Sequence, residues 1–376
     1  MNSNIVNNIT KLFLPFLAFC LISYTYGQPT HKGYPVIKAT SNVADIKLGD
    51  YLMEANWTIL PEIEADTLEV PFRASEKLVF YTNMDSIEFL INSDQLHHFY
   101  VCLNDTLYAL TVVKGVKLSQ ITLQFDKNSK STDISFWYEQ NENNEYLKLL
   151  RSKYPIDSLI KEAQTDMDKT LKILNWVHSQ WQHDGNNEPQ KYDAISILEE
   201  AKEGKNFRCV EYGIVAAACL NAIGLKSRML ALKTKDVEIT EYGAGHVATE
   251  VFLNDLKKWV FIDGQFDAMP VLDGVPLNAV EFQKAIVENF DQLEIKTSSG
   301  IQKNIYTNWI YPYLYYFDVK FDNREGVSNQ HSIDGKSSLM LVPLGAKCPT
   351  VFQISYPMDY FKYTHSLEDF YAQPDK

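Results

Sequence analysis

Cysteine is scarce in this chain, with 5 among 376 residues. No two stand in the Cys-x-x-Cys spacing that structural zinc favours, so neither a metal centre nor a disulfide scaffold is expected. Stability must come from packed cores instead. Net positive charge is also missing: the formal charge is −13. A surface this acidic excludes the electrostatic capture of phosphate backbones, so a nucleic-acid partner is not expected. Beyond the N-terminus there is no apolar run long enough to span a bilayer, and no internal repeat or low-complexity stretch. No cofactor motif is present, and none is expected.

What is present begins with an export signal. Lys11 precedes the apolar run Leu12–Ile22, and Thr25-Tyr26-Gly27 offers small residues at the positions a signal peptidase reads. Residues 1–27 are therefore expected to be a signal peptide, cut before Gln28, with the mature chain periplasmic or secreted. A lipid anchor at Cys20 is the lesser reading, because bulky Phe19 precedes it. The remaining cysteines are Cys102, Cys209, Cys219 and Cys348. A Cys102–Cys348 bridge is compatible with export, but the sequence does not dictate it.

Three further regions follow. Residues 28–145 carry short segments rich in aromatic and branched residues, such as Lys77–Tyr81, Ser86–Ile91, His98–Leu103 and Gln120–Phe125, separated by turn formers. They predict an all-β accessory domain, a sandwich. The adjacent His97 and His98 would point to opposite faces of a strand, which argues against a shared metal. A polar boundary at Asn141–Glu145 opens residues 146–300. There Met167, Leu171, Leu174, Val177 and Trp181 recur at helical spacing and predict a helix over 166–181. Asp193 should cap a second helix over 194–202. Residues 301–376 form a β-rich segment with a dense aromatic run from Asn308 to Phe317, expected to serve packing.

The most informative stretch runs from Asn206 to Gly224. Between them lies an almost uniformly apolar run, the pattern of a helix buried on all sides. With Asn206 as N-cap and Gly224 as stop, Cys209 falls in the first turn. The helix dipole and the neighbouring Arg208 both favour a thiolate there. A thiol nucleophile needs a base and a group to orient that base. His246 opens one strand after a glycine pair, and Asp263 closes the next. A two-residue loop at 254–255 would set them opposite each other, and a four-residue loop at 254–257 would make them diagonal neighbours on one face. An odd loop would separate them.

These elements resemble the transglutaminase-like superfamily. The resemblance covers about residues 170–267, and rests on Cys209 at a helix start, Gly224-Leu225-Lys226-Ser227-Arg228, His246 with Glu250-Val251, and Trp259 with Asp263. It implies an α+β fold with a permuted papain-like core. It also implies Cys209 as nucleophile, His246 as general base and acid, and Asp263 as the orienting group. An oxyanion donor is implied near the end of the 166–181 helix, at Gln182 or Trp181. Phe207-Arg208 departs from the small residue that many members place before the cysteine, and Val247-Ala248 departs from the aromatic after the histidine. The implied activity is acyl transfer on the amide bond of a peptide, protein or glycopeptide, with hydrolysis favoured over cross-linking. The alternative is a catalytically silent binding or scaffolding protein. Arg228 reads as an ion-pair partner, Cys219 as core, and Asp267 and Asp273 as loop residues. Oligomeric state is not legible.

Overall fold

The computed structural model describes residues 29–374, apart from 50, 73–74, 93–94, 118–120, 132, 140–143 and 328. The signal segment, Cys20 and most of the polar boundary near residue 141 lie outside them. The fold is mixed α+β. No helix among the described residues is long and apolar enough to cross a membrane.

Residues 30–117 form two sheets. The five-stranded one runs in the order Thr30–His31, Tyr34–Ala39, Leu96–Leu103, Leu107–Lys117, Asp66–Phe72. The four-stranded one runs Tyr51–Thr58, Val43–Leu48, Glu76–Tyr81, Ser86–Ile91. Ile37, Phe99 and Val113 of the first meet Ile46, Phe80 and Ile91 of the second in one apolar cluster, which makes a sandwich. Alternation along the strand sends His97 to Phe89 and His98 to Tyr34, on opposite faces.

The helices are α1 (Glu145–Lys153), α2 (Ile156–Ile160), α3 (Asp166–His178), α4 (Ala194–Lys202), α5 (Cys209–Asn221), α6 (Ala279–Glu288), α7 (Lys303–Ile310) and α8 (Leu367–Phe370). A six-stranded sheet runs in the order Lys258–Ile262, Gly245–Leu253, Ser227–Lys233, Tyr316–Lys320, Ser338–Leu341, Phe361–Thr364. The strands of the aromatic tail thus extend the sheet that carries the histidine.

Helix α5 is the rod that its composition predicts. Tyr212, Val215, Ala216, Cys219 and Leu220 are buried among α1, α3, α4 and the sheet. It lies very close to the histidine strand: a Cβ on Gly213 would sit 2.9 Å from Val247 Cγ1. Only a glycine permits that approach.

Cys102 and Cys348, which the sequence left open to a bridge, are both free, Cys102 against the sandwich and Cys348 beside the C-terminal strands. Three expectations are corrected. Residues 121–125 form no strand. Their backbone is held by side chains instead, with the Tyr311 hydroxyl accepting from the Ile121 N–H and the Gln283 carboxamide accepting from that of Leu123. Helix α3 stops at His178, and Arg208 rather than Asn206 is the N-cap of α5. Asn206 instead accepts the Gln182 backbone N–H through its side chain.

One ion pair is sealed in the core. Arg228 and Glu250 face each other in register on adjacent strands, with Nη2 to Oε2 at 2.7 Å and both side chains fully buried. Trp259 lies 4.2 Å and Phe370 4.9 Å from the guanidinium carbon, and the Phe370 carbonyl accepts from Nη1. Glu250 Oε1 also takes the Ala279 N–H at the start of α6.

Two stability measurements test this packing. Urea denaturation of Glu250→Ala should show a loss of about 3–5 kcal/mol, because the guanidinium is left buried and unpaired. Gly213→Val should lose about 1–3 kcal/mol by overpacking against Val247. Wild-type stability in either variant contradicts the corresponding contact.

Candidate functional site

Three side chains far apart in sequence converge at the tip of α5. Cys209 is its first residue and is half-buried. In that position its backbone N–H has no intrahelical acceptor. Arg208 does not supply the charge expected of it. Its guanidinium is bound to Glu211 at 2.8 Å and also to Glu188, so two carboxylates share it. Burial opposes its charge, but the Glu211 hydrogen bond outweighs it and raises the guanidinium's proton affinity further. The cation next to the sulfur is His246 instead.

His246 and Asp263 meet because Leu253 pairs with Lys258, leaving the four-residue loop 254–257. That register makes them diagonal neighbours on one face. His246 Nε2 lies 2.8 Å from Asp263 Oδ2, with the two side chains 2% and 0% exposed. Asp263 accepts from Nε2, which leaves Nδ1 for the thiol side. Burial works against the imidazolium, but the charge of Asp263, its hydrogen bond and a further one with Cys209 outweigh it, pushing His246 up to about 10. Asp263 itself is held on both oxygens: Oδ1 takes the Gln265 N–H at 3.0 Å and Oδ2 takes the Tyr306 hydroxyl at 3.0 Å. Gly264 follows, where a Cβ would sit 3.0 Å from Tyr212 Cβ, so the carboxylate strand presses directly on α5.

An aromatic wall closes the other side of the imidazole. Trp309 stands edge-on to His246 at 4.9 Å and 89°, with Tyr313 at 6.0 Å and Phe266 at 6.5 Å. The aromatic run was expected to serve packing, and Trp309 and Tyr313 do pack, but against the imidazole itself. Tyr306 was missed altogether. Its signal was the spacing of residues 306, 309, 310 and 313, which places them along one helical face.

The two oxyanion candidates part company. Gln182 is exposed on the rim of a cavity of about 640 Å³, which Trp181, His178, His183, Tyr212 and Gln265 also line. Trp181 is buried against Tyr212, with ring centroids 4.4 Å apart, and its Nε1 has no hydrogen-bond partner among the described residues. His183 is held below the usual imidazole range, first by desolvation and then by the charge of His246. Asp267, expected to be an idle loop residue, is buried and accepts the backbone N–H groups of Ser298 and Ser299.

The fold and this convergence define an α+β protein with thiol, imidazole and carboxylate gathered at one helix tip. Residues 156–264 match the family model described as the transglutaminase-like superfamily, so the chain carries a transglutaminase-like domain. The match contains Cys209, His246 and Asp263, and it leaves both N-terminal sheets and everything after Gly264 outside. No curated protein matches the chain. Among solved structures, one from Cytophaga hutchinsonii, described as a candidate cysteine protease, is 11% identical with a TM-score of 0.27, over 41% of this chain and 49% of its own. A candidate protease from Parabacteroides distasonis is 15% identical with a TM-score of 0.23, over 32% and 24%. Red sea bream transglutaminase is 10% identical with a TM-score of 0.25, over 69% and 57%. The chain thus spans about half the length of the first structure and about a quarter of the second, and at these scores the likenesses say nothing further about it.

The electrostatics carry a sign that can be measured. His246 binds its proton more tightly folded than unfolded, where its pKa is about 6.5. Its contribution to stability is therefore complete below that pH and is lost as pH rises through about 10. Denaturation at pH 7 and at pH 9.5 should show this decline in the wild type and much less of it in Asp263→Asn. Equal slopes in the two proteins would contradict the pairing.

Proposed function

We propose that the protein is an exported cysteine enzyme that performs acyl transfer on amide bonds, with hydrolysis favoured over cross-linking. The observation that carries this reading is the His246–Asp263 pair at 2.8 Å beside Cys209. The family match supports it. Cys209 is assigned as nucleophile, His246 as general base and acid, and Asp263 as the orienting group. Export rests on the N-terminal sequence alone. The accompanying division is an accessory unit at 28–145, a transglutaminase-like unit at 146–300 and a C-terminal unit at 301–376.

In this mechanism the Cys209 thiolate attacks the substrate carbonyl carbon and a C–S bond forms. The negative oxygen that develops is stabilised by the Cys209 backbone N–H, left free by its helix position, together with a side-chain donor. Gln182 suits that second role better than Trp181, because its carboxamide is exposed on the cavity rim while the indole is buried. His246, already protonated, gives a proton from Nδ1 to the departing amine as the C–N bond breaks. Water then adds to the thioester carbon, His246 takes its proton, and the C–S bond breaks to release the acid. Hydrolysis is favoured because water, unlike a lysine amine, needs no dedicated acceptor site to reach the thioester. Substrates of the peptide, protein or glycopeptide class fit this chemistry.

Site-resolved alkylation with iodoacetamide near neutral pH tests the assignment. Labelling at Cys209 should be slowed roughly tenfold or more in His246→Ala, and Cys209→Ala should lose the fast-reacting thiol altogether. Amide turnover should fall about 10³-fold or more when either residue is removed. A Cys209 that reacts like a free cysteine, unchanged in His246→Ala, would identify a silent binding or scaffolding protein instead.

A further inference from the structure

Asp263 Oδ2 has two donors, the His246 ring at 2.8 Å and the Tyr306 hydroxyl at 3.0 Å. Tyr306 lies on α7, beyond the stretch that matches the family model. Its side chain is fully buried, stacked on Phe282 at 6.0 Å and set 5.3 Å from Phe266. Burial, with the charge of Asp263 behind it, keeps the hydroxyl protonated far above the usual phenol range. Tyr306 is therefore held as a donor to the carboxylate.

The helix that carries it is pinned on its other side. Asn304 reaches Glu76 of the N-terminal sandwich, with Nδ2 3.2 and 3.3 Å from the two carboxylate oxygens, and Ile305 packs on the sandwich core. Rotation of α7 would carry Tyr306 off Asp263, and these anchors oppose it.

We propose that Tyr306 is a positioning residue for the His246–Asp263 pair: its hydroxyl fixes the carboxylate and draws off part of its charge, which sets how firmly the imidazole keeps its proton. The catalytic consequence rests on the proposed function, but the effect on His246 does not. A hydrogen bond to Oδ2 favours the carboxylate most when its charge is uncompensated, which is after the imidazole has released its proton. The hydroxyl therefore eases that release, the step a general acid must perform. The other titratable groups that bear on His246 are Cys209, His183 and Tyr313.

The test is nuclear magnetic resonance of ring-labelled histidine, with the His246 signals assigned by their loss in His246→Gln. Tyr306→Phe keeps the packed ring and removes only the hydroxyl. The His246 midpoint, near pH 10 in the wild type, should move upward by roughly half a pH unit or more. At neutral pH its Nε2 proton should move downfield, because Asp263 Oδ2 is left with one donor. A fluorinated tyrosine at position 306, a stronger donor that retains the hydroxyl, should move both signals the opposite way, and it decides the matter if Tyr306→Phe does not fold. A folded Tyr306→Phe protein with unchanged midpoint and resonance overturns the proposal, as does a fluorinated residue without effect. Alkylation of Cys209 in the same samples reports on the proposed function separately. Equal wild-type and His246→Ala rates would end that reading and leave the result for Tyr306 standing.

Discussion

The structure turns on strand register. His246 and Asp263 share a face only because the connection after Leu253 holds an even number of residues, and a slip by one would send the carboxylate to the far side of the sheet. Several features hold that register. Arg228 faces Glu250 directly across the neighbouring pair of strands, a buried ion pair that any slip would break. Gly213 and Gly264 let α5 press on both strands, so the helix tip with its sulfur is referenced to the same surface. The site is a consequence of sheet alignment first and of side-chain chemistry second.

Electrostatics then sort the charges. Two cations lie close to Cys209, and they are spent differently. Arg208 is tied to Glu188 and Glu211, where it anchors the helix start. His246 is buried with a carboxylate on one nitrogen and the thiol side open on the other. Because its partner is fixed on both oxygens, the imidazole cannot turn away without breaking a buried hydrogen bond, and such a break in a dry site is costly. The aromatic wall of Trp309 and Tyr313 covers one side of the imidazole.

Much of this was legible in the sequence. The apolar run after Cys209 marks a buried helix, Asp193 caps α4 through its side chain, and the order of Cys209, His246 and Asp263 carries a family resemblance. Other features were hidden for identifiable reasons. The parity of the 254–257 loop depends on where pairing stops, which alternation alone does not determine. Residues 121–125 have a strand's composition, yet Gln283 and Tyr311 satisfy part of their backbone in place of a ladder. The charge of Arg208 could be read from the chain, but its use by Glu188 could not. Tyr306 meets Asp263 through packing between elements that the sequence keeps well apart, and the helical spacing of 306, 309, 310 and 313 marks a face without saying what that face meets.

The cage around Arg228 has a temporal side. Its guanidinium is enclosed by Trp259 from the edge strand Lys258–Ile262 and by Phe370, whose carbonyl also binds it, while the Ala372 carbonyl takes the Trp259 indole N–H. Residues 370–372 leave the ribosome after every other member of that cluster. Until they dock, the middle of the sheet holds a hydrated charge where the finished protein has a dry one, so final tightening waits on a few late residues. A nascent chain stalled short of them would present that wet seam to proteases and chaperones, even with every strand of the sheet already made.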